Sequence, residues 1–141
     1  MKPPVGAAVT VLAAACLMSV GMSGCTSLCS STELSAVPVR VDDPTAPLSL
    51  RARLTRDGEP FPGQHVAFFS SSTDSQGRPA GSSLGKGETD SDGVATITVR
   101  GGTEGITLPS EDLTGYRAKF APVVEIEGTQ YCKSEAHGAF E

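Results

Sequence analysis

Two groups of residues in this chain could bind a metal ion. In the first, Asp90 and Asp92 precede Gly93 with part of the spacing of a calcium loop, in which alternating carboxylates surround a hard cation. A complete loop needs a further acidic ligand at fixed spacing, whereas the next residues alternate as a strand does. The same residues are typical of a turn, because Asp bonds to nearby backbone amides and Gly accepts positive φ. We predict a structural turn and keep calcium as the alternative.

The second group is Cys132, His137 and His65. A Cys and a His a few residues apart near the C-terminus are ligand types for copper on a β-sandwich. All three methionines lie in the first 22 residues, so only Glu141 could replace the usual axial Met. In an exported chain, however, Cys132 is more readily explained as the disulfide partner of Cys29. We predict that disulfide, with a copper or redox site as the alternative.

Catalytic motifs are absent from the sequence. It contains no Gly-x-Ser-x-Gly elbow, no glycine-rich phosphate loop and no paired carboxylates on a recognisable motif. Its two histidines, His65 and His137, lie far apart in the chain. We therefore predict that the protein is not an enzyme and needs no cofactor.

Residues 1–24 have the plan of a secretory signal peptide, since Lys2 precedes an apolar run that ends in small residues. The apolar run is too short for a membrane span, and it lacks the charged flanks on both sides that a span would have. Its ending, MSGC, resembles a bacterial lipobox, although Met22 stands where Leu is usual. The resemblance implies a diacylglyceryl group with palmitate-type chains on the Cys25 thiol and cleavage before that residue. The lipid would anchor the exported chain to the outer face of the cell membrane. An ordinary signal peptide cut near Ser27 is the alternative.

The charge balance is acidic. The chain has 16 acidic and 11 basic residues, a formal net charge of −5, and loss of Lys2 makes it more negative. Such a surface repels nucleic acid and anionic lipid headgroups, so no nucleic-acid partner is expected. The length suits one domain. We predict a lipidated tether over residues 25–33 and a single, monomeric domain over residues 34–141.

Alternating apolar residues predict three strands, at residues 48–55, 64–69 and 93–100. Glycine and proline between the first two indicate a turn. A weaker alternation of Val37, Val39 and Val41 suggests a first strand, which Pro38 would place at an edge.

The remaining segments are less regular. Residues 70–86 are rich in Ser and Gly and predict a mobile loop. Residues 110–113 suggest one helical turn. Residues 115–120 form a further strand with Tyr116 on its inner face, and residues 123–136 a closing hairpin.

The turns and strands together resemble bacterial Ig-like domains of the invasin and intimin type. The motifs that match are D-G-x-P, P-G-x-x-V-x-F and T-D-x-D-G-V-A-T-I-T-V, and they cover about fifty residues. A second resemblance, to transthyretin-like or collagen-adhesin B-type modules, rests on the T-D-x-x-G turn and the later G-Y strand. Both imply an all-β fold, and the first implies an Ig-like antiparallel β-sandwich of about seven strands.

The Ig-like resemblance also implies two structural details. Asp112 lies four residues before Tyr116, as in a tyrosine corner, so the Tyr116 hydroxyl is expected to bond to the backbone near Asp112. First and last strands lie side by side in such sandwiches, which suits the disulfide. The predicted core contains Leu50, Leu54, Val66, Phe68, Ala95, Ile97, Val99, Tyr116 and Ala118.

The motifs mark turns and core, so they leave function open. We predict a non-catalytic binding or spacer module, with the lipid bilayer as one partner and an unidentified protein or cell-envelope ligand as another. A binding module should expose an apolar or aromatic patch, whereas a spacer should have evenly polar loops.

Overall fold

The computed structural model describes residues 28–106 and 112–141, which form nine β-strands and one short 3-10 helix. The predicted signal peptide and the Cys25 lipid site lie outside these residues. The strands are β1 Thr32–Ala36, β2 Leu48–Arg56, β3 Glu59–Pro60, β4 His65–Thr73, β5 Pro79–Ala80, β6 Ser83–Glu88, β7 Val94–Val99, β8 Asp112–Phe120 and β9 Ser134–Ala139, and the 3-10 helix is Thr103–Gly105.

The strands form two antiparallel sheets. In the first sheet β2 is central, with β1 on one side and β7 on the other, so that Ala52 pairs with both Ala36 and Ala95. In the second sheet β4 pairs with β6 on one side and with β8 on the other, and β9 follows β8. The predicted all-β antiparallel sandwich is thereby confirmed. Its strand number exceeds seven partly because β3 and β5 have only two residues each.

The three strongest predicted strands correspond to β2, β4 and β7. Every second residue of β2 from Leu48 to Leu54 is buried, because successive side chains of a strand point to opposite faces. The valines proposed as the first strand lie after β1 instead. The amides of Val39 and Val41 donate hydrogen bonds to the carbonyl oxygens of Ala139 and Glu141, at 2.9 and 2.8 Å.

The fold begins earlier than predicted. β1 starts at Thr32, and Ser30 forms a parallel bridge with Tyr131. The later part of the proposed tether therefore belongs to the sandwich. β1 pairs with β2, and the segment after β1 then reaches the end of β9. There Val39 forms a second parallel bridge with Phe140.

The predicted mobile loop over residues 70–86 is wrong, since β4 extends to Thr73 and β5 and β6 follow. Ser70 and Ser72 continue the inward face of β4 and are buried. The Ser70 hydroxyl accepts a hydrogen bond from the Ser82 amide at 2.9 Å, which satisfies a polar group inside the sandwich.

Two other predictions also change. Asp112 and Leu113 lie in β8 and not in a helical turn, while residues 110 and 111 fall outside the described part. The closing hairpin is replaced by a loop before β9. Within that loop Ile126 and Thr129 form a bridge around Glu127 (φ 52°) and Gly128 (φ 80°), the two positive φ angles of a type I′ turn.

The core consists of two clusters. The larger contains Leu50, Val66, Phe68, Ala95, Tyr116 and Ala118 among its buried members, and Ile97 and Val99 pack against it half-buried. Leu54 belongs to the smaller cluster, with Phe61, Phe120 and Tyr131. In this cluster the Phe61 ring meets Tyr131 edge-on at 4.9 Å between centroids.

The tyrosine corner was predicted with the wrong partner. The hydroxyl of the fully buried Tyr116 lies within hydrogen-bond distance of the carbonyl oxygens of Val37 and Arg51, at 2.5 and 2.8 Å, and so joins β8 to the first sheet. Its ring occupies the space beside Gly138, where a Cβ would overlap it. The sequence could not show this, because the hydroxyl crosses between sheets and does not reach back along its own strand.

We expect Tyr116→Phe to lower the free energy of unfolding by about 1 to 3 kcal/mol, because the partly buried Val37 carbonyl oxygen loses its hydroxyl donor. Burial raises the pKa of Tyr116 above 10.0, so the folded state favours the neutral phenol. This contribution is fully present below the unfolded-state pKa, and it is lost as pH rises through the folded-state value. Urea denaturation should therefore show a steeper alkaline loss of stability for wild type than for Tyr116→Phe. Parallel pH curves would contradict it.

Candidate functional site

An open cavity of about 440 Å³ lies where β4 ends and β8 begins. Its polar lining includes Ser71, Thr73, Thr114, Arg117 and His137. The opposite wall is the turn that carries β5, whose small residues Gly77, Pro79, Ala80 and Gly81 leave the space open.

Arg117 is the charged centre of this surface. The register places Phe69, Arg117 and His137 side by side on three neighbouring strands. The Arg117 guanidinium carbon lies 4.9 Å from the centroid of the Phe69 ring, a cation–π contact that orients the side chain. A guanidinium stays protonated in proteins, so this face presents a fixed positive charge.

The positive charge is only partly neutralised. The Arg117 Nε lies 3.6 Å from Glu135 Oε1, beyond hydrogen-bond distance, and this buried nitrogen has no hydrogen-bond partner within the described residues. The whole side chain is 39% exposed. The guanidinium is thus fixed by packing while part of it remains accessible to a ligand.

Asp74 holds the wall of the cavity in place. Its Oδ1 accepts hydrogen bonds from the amides of Gln76 and Arg78, at 2.8 and 2.9 Å, and its Oδ2 contacts Arg78 Nε at 2.8 Å. The amide of Arg78 is the main cause that lowers the pKa of Asp74 below 3.8. This carboxylate therefore stays ionised, and bonded to the turn, at neutral pH.

The Asp90 turn has the geometry predicted for a structural turn. Asp90 Oδ1 accepts from the amides of Asp92 and Val94, at 2.9 and 3.0 Å, and Gly93 has a φ of 76°. This carboxylate oxygen is occupied by backbone donors. The hydroxyl of Thr89, just before the turn, accepts from the Gln64 amide at 2.8 Å and donates to the Phe61 carbonyl at 2.7 Å.

The cysteine pair is bonded as predicted. Cys29 and Cys132 form a disulfide with 5.0 Å between their Cα atoms. The Cys132 sulfur is therefore not a free thiolate for copper. His65 begins β4 and His137 lies on β9, and the described residues contain no group of three or more His, Cys, Asp or Glu placed to bind a metal.

The end of the sandwich that carries the disulfide also exposes apolar side chains. Leu28 is 95% exposed, Val123 92% and Val124 66%. No helix in residues 28–106 and 112–141 has the length and apolar character needed to cross a membrane. The sequence offered no signal for these exposed residues beyond the Val-Val pair itself.

No protein-family model matches the chain, and a comparison with curated proteins finds no match. The resemblance to invasin-type Ig-like domains therefore stays a prediction. What the structure adds is the geometry of the two ends, one with a polar cavity and the other with a disulfide and exposed apolar residues.

Proposed function

We propose that this chain is an exported lipoprotein, anchored through Cys25, whose Ig-like sandwich binds a polar, negatively charged ligand without catalysing a reaction. The observation that carries the proposal is the open cavity around Arg117. Its volume of about 440 Å³ and its oriented charge favour a binding module over a spacer, which needs no shaped surface.

The positions of the two ends support this proposal. The disulfide lies near the start of β4, because Cys132 precedes Ser134, which pairs with Phe120 at the end of β8. The cavity lies at the other end of β4, a strand of nine residues. Such a strand is about 30 Å long. A chain tethered by its N-terminal segment would therefore hold the cavity away from the bilayer.

The lining also supports the ligand class. A guanidinium binds carboxylates with charge-assisted and often bidentate hydrogen bonds. Ser71 and Thr73 add hydroxyls that can donate or accept around the charged group. The Thr114 hydroxyl donates to the Ser71 carbonyl oxygen at 3.0 Å, so it can only accept from a ligand. Acidic sugars and carboxylate-bearing peptides of the cell envelope have this combination of groups.

The binding function is tested by titrating the protein with sodium acetate and, separately, with glucose, while amide NMR shifts are recorded. Acetate should shift amides of the cavity. Arg117→Gln should weaken acetate binding about tenfold to a hundredfold, since a hydrogen bond to a charged group is worth about 1.5 to 3 kcal/mol. Lys119→Gln is the matched control, because it removes the same charge from the next outward position of β8 and should change little.

The spacer function is the competing result. It would be indicated if neither probe shifts cavity amides, or if the two variants weaken acetate binding equally. The anchor is tested separately by intact-mass analysis of the membrane fraction, where a diacylglyceryl group should be found on Cys25.

A further inference from the structure

We infer that the end of the sandwich formed by Leu28, Val123 and Val124 rests against the lipid bilayer and fixes the orientation of the domain. We call these three residues the apolar end. The inference rests on the proposed lipid anchor at Cys25, and it goes beyond that anchor by assigning a second membrane contact to the folded domain itself.

The short separation between Cys25 and Leu28 along the chain keeps the proposed lipid close to this end. Cys25 lies three residues before Leu28. Three extended residues span at most about 11 Å. Leu28 adjoins Cys29, whose disulfide and the neighbouring Ser30–Tyr131 bridge hold the chain to the fold. The lipid therefore cannot move far from the apolar end.

The valines are held in position and do not belong to a loose tail. Their loop starts from the buried Phe120, and Ile126 packs against the smaller core cluster that contains Phe120. The turn at Glu127 and Gly128 closes the loop. Val123 and Val124 thus lie exposed on a loop that is fixed at both ends. Because the loop is already ordered, little conformational entropy is lost when the valines contact lipid.

Charge determines which bilayer suits this end. Glu125 and Glu127 are exposed beside the valines, and Glu127 accepts a hydrogen bond from Arg56 Nη1 at 3.3 Å. Acidic side chains are repelled by anionic headgroups. The apolar end should therefore enter a zwitterionic surface more readily than an anionic one. The apolar end should insert only as far as the boundary between headgroups and acyl chains, because two valines and one leucine are too few to span the bilayer.

The absence of tryptophan from the sequence allows a direct test. Val124→Trp would give the mature, lipidated protein a single tryptophan, placed in the apolar end, as a fluorescent reporter. In phosphatidylcholine vesicles its emission should shift to shorter wavelength and be quenched by lipids brominated on their acyl chains. Replacing part of the phosphatidylcholine with phosphatidylglycerol should reduce the quenching.

Ser75→Trp is the matched control, because it places the same residue in the exposed turn at the opposite end of β4. Its quenching should be several-fold weaker, although tryptophan itself favours membrane interfaces. Val123→Trp repeats the test at a second exposed position, and thermal melts establish that each variant folds.

The outcomes separate the inference from the proposed function. Equal quenching of Val124→Trp and Ser75→Trp in protein whose mass shows the lipid overturns the membrane contact and leaves the anchor standing. An unmodified Cys25 in the membrane fraction overturns both. Acetate binding at the cavity is unaffected by either result.

Discussion

Replacing Cys29 and Cys132 together with serine is expected to lower the free energy of unfolding by about 4 to 5 kcal/mol. The disulfide joins residues 103 positions apart, so without it the unfolded chain gains the entropy of a long open loop. Urea denaturation at neutral pH measures the change. It would remove a large part of the stability of a domain of this size.

The same experiment contains an internal check. The unfolded variant lacks the crosslink and exposes more surface, so the slope of unfolding free energy against urea should increase. Wild type treated with reductant should approach the double-serine variant. An unchanged midpoint and slope would mean that the bond contributes little and that the bridges of Ser30 and Val39 are enough to hold the N-terminal segment.

Gly93→Ala is expected to be strongly destabilising. A Cβ at Gly93 would lie 2.5 Å from the Leu54 carbonyl oxygen and 3.1 Å from the Phe61 amide nitrogen. These two atoms are hydrogen-bonded to each other at 3.0 Å, and the Leu54 amide donates to the Gly93 carbonyl at 2.8 Å. The added methyl group would force these neighbours apart, and such overpacking costs about 1 to 3 kcal/mol. The left-handed φ adds about 1 to 2 kcal/mol.

Gly58→Ala separates the two causes. Gly58 has nearly the same φ, 79°, but no atom lies within 4 Å of the position that an added methyl group would take. Gly58→Ala should lower the free energy of unfolding only by the cost of the left-handed φ, about 1 to 2 kcal/mol. Thermal or urea melts of both variants decide the matter, and equal losses would show that the close approach at Gly93 carries no cost.

The sequence was informative where one face of a strand is apolar. In β2, Leu48, Leu50 and Leu54 alternate with polar residues, and that period of two is itself the physical consequence of half-burial. The Asp90 turn was equally readable, because the side-chain and glycine requirements of a turn are local.

Strands whose inward residues are polar could not be found in this way. Ser70 and Ser72 are both buried, and the Ser70 hydroxyl is satisfied by Ser82, a partner that is known only once the fold exists. β1 was missed for a related reason. Its alternation is carried by Leu34 and Ala36 among half-buried residues, a weaker signal than the valines that follow.

The cavity lay beyond sequence reasoning altogether. Phe69, Arg117 and His137 are scattered along the chain and meet only through strand register. The composition of the Ser/Gly-rich segment indicates only a loop, although its small residues keep the cavity open. The Cys29–Cys132 bond was predictable because only these two of the four cysteines lie outside the predicted signal peptide and lipid site.

The disulfide also decides how the domain would bear tension applied through its N-terminal segment. Force entering at Cys29 passes through the sulfur atoms to Cys132, which lies two residues before β9. Between these two points the covalent bond bypasses β1 and the whole first sheet. Tension then reaches the cavity as shear along the six residue pairs that join β9 to β8, whose hydrogen bonds must break together and not one after another. The bond thus turns an N-terminal segment that could be peeled away strand by strand into a mechanically continuous link between Cys29 and the cavity around Arg117.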